Sequence, residues 1–465
     1  MRYFSTRNKN EVVNFACAAL AGLAPDGGLF VPEEIPQYSQ QARSSLGSMD
    51  FRDIAFETIK PYVHDSIPDN VLSDIIHSAF IFNAPLIPAA DRFCVELFHG
   101  PTAAFKDFGA RFMARAFSFL RRGEDRSLKI LVATSGDTGG AVADGFFGVP
   151  GISVTVLYPK GRVTPLQERQ IAGLGQNISA IAVEGSFDDC QRLVKAALAD
   201  EGLKKRMALS SANSINISRL IPQAVYYSAA AGRAKAGLTD SDGDATPRVS
   251  LSDASSIAAN MKAPRPNRPV TLCVPSGNFG NLTAGLYAMK MGAPVDQFIA
   301  ATNINKTIPD YLDSGEYLAR NSQATISNAM DVGAPSNFER MSAHFSLEEM
   351  RRIIFGVHVT DEETRRTIKQ VREQAGYFIC PHSAVGWKGA DKLIAQNKIG
   401  NGINDAGAVG ILCTAHPAKF REIVEPLAGM PPVPAVLAAA MERTVNAKTI
   451  PSEVSALIDS LNESN

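Results

Sequence analysis

Apolar residues gather along the middle of this 465-residue chain in short runs separated by helical patterns. Leu128–Ser135, Ile152–Pro159, Ser179–Gly185, Val270–Ser276, Gln297–Asn303 and Ala408–Ala415 are rich in β-branched residues and almost continuously apolar. Runs of this kind lack the alternation of a half-exposed strand. They predict strands buried on both faces, as in a parallel sheet. Between them the period changes. In Phe108–Arg122, Phe112, Met113, Ala116, Phe117 and Leu120 are apolar, while Arg111, Arg115, Ser118 and Arg122 recur on the other side. That spacing predicts an amphipathic helix with a solvated basic face. Asp188–Ala199, Ile215–Ala231 and Leu282–Lys290 also read as helices. Strand and helix in alternation predict an α/β fold that binds ligands at the carboxyl ends of its strands.

Two stretches depart from the alternation. The first 90 or so residues carry several prolines and a few helical segments but no βα repeat, and they read as a separate subdomain. Lys235–Arg268 contains DSDGD (Asp240–Asp244) and a PRPNRP run ending at Pro269; its low apolar content predicts a polar surface insertion.

Composition narrows the function. With 46 basic and 47 acidic side chains the formal charge is −1, which argues against a nucleic-acid footprint or a polybasic membrane surface. Apolar runs stay short of the roughly 18 residues of a membrane span. The six cysteines are scattered, without CxxC pairs, and read as buried reduced thiols rather than staples. The dispersed histidines give no zinc spacing. The N-terminus lacks the apolar stretch of a signal peptide, so the expected compartment is the cytoplasm.

Three constellations carry candidate chemistry. In ELFHGPTAAFKDFGARFM, Lys106 opens the amphipathic helix between two phenylalanines. A helix start favours anions, so the dipole and burial would both depress its pKa and leave a nucleophilic amine, as a Schiff-base lysine requires. A lysine snorkelling to solvent fits the same spacing. SGDTGGA (Ser135–Ala141) follows one predicted strand, and its amides can hold an anion such as a carboxylate. PSGNFGN (Pro275–Asn281) follows another. Gly277 and Gly280 permit close backbone approach, and Asn278 has a side-chain donor, which suits a phosphate cradle. The loop is neither a Walker A sequence nor GxGxxG.

HGPTAAFKDFGARFM, ATSGDTGGAVADGF, LYPKGRVTPLQERQ, SANSINISRLIPQ, PSGNFGNLTAG, SNAMDV and CTAHPAKF, in that order, resemble the threonine synthase family. The opening STRN and GLAPDGGLFVPEEIP are similar to its longer, microbial and fungal branch. The resemblance runs from about Tyr3 to Phe420. It implies a pyridoxal-phosphate enzyme of fold type II, with two three-layer α/β domains on parallel sheets and a mainly helical N-terminal subdomain. The expected division is residues 1–90 for that subdomain and 91–127 with 231–430 for a large cofactor domain. Residues 128–230 would form a small mobile domain and 431–465 a helical tail.

The same resemblance implies site roles. Lys106 would form the Schiff base. Gly277, Asn278, Phe279, Gly280 and Asn281 would hold the cofactor phosphate, with Asn281 standing where the family commonly has Asp. Thr414 would face the pyridine nitrogen. Ser135, Asp137 and Thr138 would receive the substrate carboxylate, though Asp137 could instead cap the following helix. Asn213, Ser214, Asn216 and Arg219, with Lys160 or Arg162, are candidates for the substrate phosphate, though Arg219 could instead be a surface helix residue. Trp387 reads as packing, and His382 is left open. The implied reaction takes O-phospho-L-homoserine and water to L-threonine and phosphate, by a monomer, with neither nucleic acid nor membrane as partner. A serine/threonine dehydratase or cysteine synthase of the same fold, or a non-catalytic cofactor-binding homologue, are the competing readings. An enzyme binding two phosphate-bearing molecules on a −1 chain must concentrate its positive charge inside the cleft.

Overall fold

The computed structural model describes residues 1–240, 266–399 and 408–463. Most of the insertion Lys235–Arg268, including the DSDGD acids beyond Asp240, lies outside the described residues.

Two large sheets organise the chain. The first has six strands in the order Ile354–His358, Gln297–Thr302, Val270–Pro275, Ala408–Cys413, Arg92–Glu96 and Leu86–Ala89. All neighbours are parallel except the last pair, which is antiparallel. The second has five parallel strands in the order Lys448–Pro451, Ile178–Glu184, Ile152–Pro159, Leu128–Ala133 and Ala208–Ser211. Every residue of Leu128–Ala133, Val270–Pro275 and Ala408–Cys413 is buried, as continuous apolar runs between helical layers must be.

The N-terminal region is mainly helical, with Phe15–Ala21, Gln40–Ser45, Phe51–Val63 and Asp69–Ala79 beside a small antiparallel sheet of Val12–Val13, Tyr3–Ser5 and Phe30–Pro32. Leu86–Ala89 joins the large sheet, so a division at residue 90 would cut a hairpin. The tail expected to be helical also supplies the strand Lys448–Pro451, which pairs with Ile178–Glu184 and ties the C-terminus to the smaller sheet. The helix expected over Ile215–Ala231 is three pieces, Ile217–Leu220, a 3-10 turn Ile221–Gln223 and Ala224–Ala236. Pro222 lacks the amide that would continue the first piece.

The helix Lys106–Leu120 corrects a further expectation. Its arginines do not form a solvated face. Arg111 is buried, donating from Nε to Ala79 O (2.8 Å) and from Nη2 to Ser78 O (3.0 Å). It thereby satisfies carbonyls at the end of the helix Asp69–Ala79. Arg115 reaches Gly145 O at 3.1 Å. Both sides of this helix are packed, against Asp69–Ala79 on one side and Asp137–Phe146 and Ile217–Leu220 on others. The six cysteines are free thiols, five of them buried and Cys17 exposed. Among the described residues no helix is long and apolar enough to cross a membrane.

Candidate active site

The carboxyl ends of four parallel strands converge on one cleft. Leu128–Ala133 leads into Ser135, Val270–Pro275 into the loop 276–281, Ala408–Cys413 into Thr414, and Ala208–Ser211 into Asn213. Lys106, Ser135, Asp137, Thr138, Asn213, Ser214, Arg219, Gly277, Asn278, Phe279, Gly280, Asn281 and Thr414 all line it.

Lys106 is the first residue of its helix, and the chain before it is pinned to the strand end that carries Thr414. Phe105 N donates to Thr414 O (2.8 Å), His416 N donates to Ala103 O (3.0 Å), and Ala104 bridges Ala415. Asp107 accepts from Thr102 Oγ1 (2.5 Å) and Thr102 N (2.9 Å), closing the HGPTAAFKD turn. Burial pulls the Lys106 amine down, Asp137 pulls the other way, and Arg219 and Lys419 add to the burial; the outcome is about 8. At that value roughly a tenth of the amine is neutral at pH 7, against less than a thousandth at its ordinary 10.5.

The loop after Val270–Pro275 is built for an anion. Phe279 takes a left-handed conformation (φ 59°), and the helix Gly280–Met291 starts directly after it. Among the described residues, the amides of Gly277 through Asn281 have no backbone acceptor. Such free amides in a nest at a helix N-terminus favour a phosphate. A Cβ on Gly277 would lie 2.7 Å from Ala329 O, so only glycine fits beneath the Asn328–Met330 turn. The Asn278 side chain is not a free donor. Its Nδ2 donates to Ser214 Oγ (2.6 Å) and its Oδ1 accepts from Ser336 N (2.6 Å), so it holds the loop rather than a ligand.

The remaining candidates divide. Asp137 does not cap its helix; Gly136 holds that position, and the Asp137 carboxylate meets Lys419 Nζ (2.8 Å) and Gln167 Nε2 (2.9 Å). Burial alone would raise this carboxyl, but the Lys419 and Lys106 charges hold it well below the usual carboxylate range. Arg219 is buried rather than a surface residue. One nitrogen donates to Ala212 O (2.7 Å), and Nε has no partner. Burial lowers its pKa to about 10. Asn213 is fastened to Ala133 by two bonds of 3.1 and 2.6 Å.

Three expected residues are not in the cleft. Asn216 is buried in the scaffold, donating to Ala19 O and Ser211 O and capping the turn at Ser218. Lys160 and Arg162 are exposed, and Lys160 pairs with Glu184 at 3.2 Å. The turn Lys160–Arg162 follows the central strand Ile152–Pro159 of the smaller sheet, yet its side chains face solvent, and linear proximity to the TPLQERQ motif did not carry them into the cleft.

The cleft also contains residues that pattern reading did not single out. His382, left open above, accepts at Nε2 from Ala329 N (3.2 Å), and burial lowers it to about 4, so its ring is neutral. Lys195 and Gln191 face the cleft from the helix Phe187–Ala199. Lys419, fully buried, stands directly behind Asp137. Its signal was a lysine inside the apolar CTAHPAKF segment, the same anomaly that drew attention to Lys106. Among the described residues, Lys106, Lys195 and Arg219 line the cleft against Asp137 alone, so positive charge is concentrated there.

A lysine with a lowered pKa sharing, at the carboxyl ends of parallel strands, one cleft with a phosphate nest suits pyridoxal phosphate. A family model described as pyridoxal-phosphate dependent enzyme matches residues 81–413, and the chain is an enzyme of this class, a lyase with pyridoxal phosphate as cofactor. Models for the threonine synthase N terminus and C-terminal regions match residues 2–80 and 383–460. The chain is 39% identical over 464 residues to a threonine synthase of Escherichia coli, covering 98% of each. The crystal structure of threonine synthase from Escherichia coli superposes with a TM-score of 0.86 at 38% identity, covering all of both chains. The structure of a pyridoxal-phosphate-bound threonine synthase from Brucella melitensis gives 0.83 at 34% identity, covering 100% of this chain and 99% of that one. The chain belongs to the threonine synthase family.

Proposed function

We propose that this chain converts O-phospho-L-homoserine and water into L-threonine and inorganic phosphate, acting as a cytoplasmic monomer. The observation that carries this reading is Lys106, with its amine at about 8, sharing one cleft with the free amides of Gly277–Asn281 and the buried Arg219.

The residues fit the cofactor. Its phosphate would lie on the 277–281 nest at the helix N-terminus, its ring nitrogen would meet the Thr414 hydroxyl, and Lys106 would be its covalent partner. When bound, pyridoxal phosphate supplies an electron sink for charge developing on the substrate carbons. The protein does the rest. Amides at the start of the helix Asp137–Phe146, with Ser135 and Thr138, orient the substrate carboxylate. Arg219 and Ser214 hold the phosphate that leaves from Cγ, and charge-assisted bonds from Arg suit that group.

Lys106, once freed by the incoming substrate amine, takes the Cα proton. It then serves the later transfers, in which a Cβ proton is lost as phosphate departs from Cγ, Cγ gains a proton, the hydroxyl of water adds at Cβ, and Cα regains its proton. One flexible amine near neutrality can act as both base and acid. The Asn328–Met330 turn and the helix Phe187–Ala199 wall the cleft, restricting water until the last addition. The smaller sheet is the part that would move.

The test is a visible spectrum and a phosphate-release assay. Addition of O-phospho-L-homoserine should shift the cofactor band and release threonine and phosphate in equal amounts. Equal turnover of homoserine lacking the phosphate would sink the proposed leaving-group pocket.

A further inference from the structure

Asp137 and Lys106 line the same cleft, yet the Asp137 carboxylate is committed to another cation. Lys419 Nζ lies 2.8 Å from Asp137 Oδ1 and also donates to Thr102 O at 2.8 Å. Both side chains are almost wholly excluded from solvent, at 0% and 4% exposure. Thr102 belongs to the turn that leads into Lys106, and Asp137 to the turn that leads out of the smaller sheet. Gln167 supplies a second donor to Asp137, and Thr164 Oγ1 donates to Lys419 O at 3.2 Å. The Lys419 segment thus touches both sides of the cleft.

We propose that Lys419 is a positioning residue for the reaction: it clasps the glycine turn of the smaller sheet to the Lys106 turn and keeps the Asp137 charge occupied, so that Asp137 does not hold Lys106 as an ammonium. The inference rests on Lys106 being the proton-transferring amine of the proposed function. Its physical ground is that an uncompensated buried carboxylate favours the charged form of a nearby amine. The other ionisable groups around this pair are Arg219, His382, Asp107, His416 and Cys380, whose thiol burial pushes up and keeps neutral. Arg219 opposes a charged Lys106, and the neutral imidazoles contribute no charge to offset Asp137. Asp107 is directed to Thr102. That leaves Lys419 as the cation in direct contact with Asp137 among the described residues.

Charge substitutions in the holoenzyme give shifts of opposite sign. In Lys419→Met, the acid limb of kcat should move up by about one pH unit, with about tenfold lower kcat at pH 7 that recovers at high pH. In Asp137→Asn, where the cation remains and the anion is gone, the limb should move down. Lys419→Arg should leave it in place. Hydrogen exchange at the amides of residues 137–141 should be faster in Lys419→Met and unchanged in Lys419→Arg, a readout independent of turnover. An unmoved limb in both charge variants, or unchanged exchange in Lys419→Met, would overturn the proposal. Wild-type protein without turnover on O-phospho-L-homoserine would instead count against the proposed reaction, and the exchange measurement would still decide the clasp.

Discussion

The Tyr226 hydroxyl donates to Asn281 Oδ1 at 2.5 Å, and Tyr227 donates to the same oxygen at 2.8 Å. Two donors on one oxygen fix the orientation of the amide, and Nδ2 is left buried without a partner at the edge of the phosphate nest. Asn281→Ala should therefore lower stability by about 2 kcal/mol, because the buried Tyr227 hydroxyl loses its acceptor and Tyr226 keeps only its longer bond to Gln223 Oε1 (3.3 Å). Asn281→Asp keeps that acceptor, removes the orphaned donor and puts an anion at a helix N-terminus. Denaturant titration of the cofactor-free protein should find it about 1 kcal/mol more stable than wild type.

The amine of Lys106 at about 8 sets the expected pH dependence. The base must be neutral to accept a proton, so kcat should rise with pH and level off above about 8. Lys106→Ala should reduce kcat by about 10³-fold, within the span of general acid–base catalysis, and remove the Schiff-base band of the resting protein. A kcat profile flat from pH 6 to 9 would contradict this assignment.

Arg219 has one nitrogen committed to Ala212 O and its Nε free. Arg219→Gln should raise KM for O-phospho-L-homoserine by about tenfold or more, the worth of one charged hydrogen bond. Inhibition by inorganic phosphate should weaken in parallel. An unchanged inhibition constant would place the phosphate elsewhere in the cleft.

Gly109 lies one turn beyond Lys106, and a Cβ there would fall 2.6 Å from Arg219 O. The lysine helix and the Ile217–Leu220 helix can touch only without that methyl. Gly109→Ala should cost about 1–3 kcal/mol, as overpacking does, and should raise KM by displacing Arg219. Thermal denaturation and steady-state kinetics on the same preparation would check both effects.

His344 is lowered to about 4, by burial first and then by Lys290. Its folded pKa lies below the unfolded value of about 6.5, so its contribution is intact above that pH and is lost as pH falls toward 4. His344→Phe should flatten the loss of stability between pH 7 and 5. Melting curves across that interval give the comparison.

The sequence alone determined the strands Ile152–Pro159, Val270–Pro275 and Ala408–Cys413, because short apolar runs rich in β-branched residues and bounded by turn formers suit strands buried between two layers. It also marked Lys106 and the loop 277–281, whose local chemistry is written in adjacent residues. Only the tertiary structure decided what non-neighbouring residues do. The spacing of Arg111 and Arg115 is that of an exposed face, yet neighbouring helices supply carbonyl acceptors that make burial tolerable. Lys160 and Asn216 sit in motifs as persuasive as that of Arg219, but the first ends on the surface and the second in the scaffold. Lys419 reaches Asp137 across 282 residues of chain. Local periodicity records which face of an element is apolar; which charge meets which is settled by packing, where a buried charge must find its partner wherever the fold brings one.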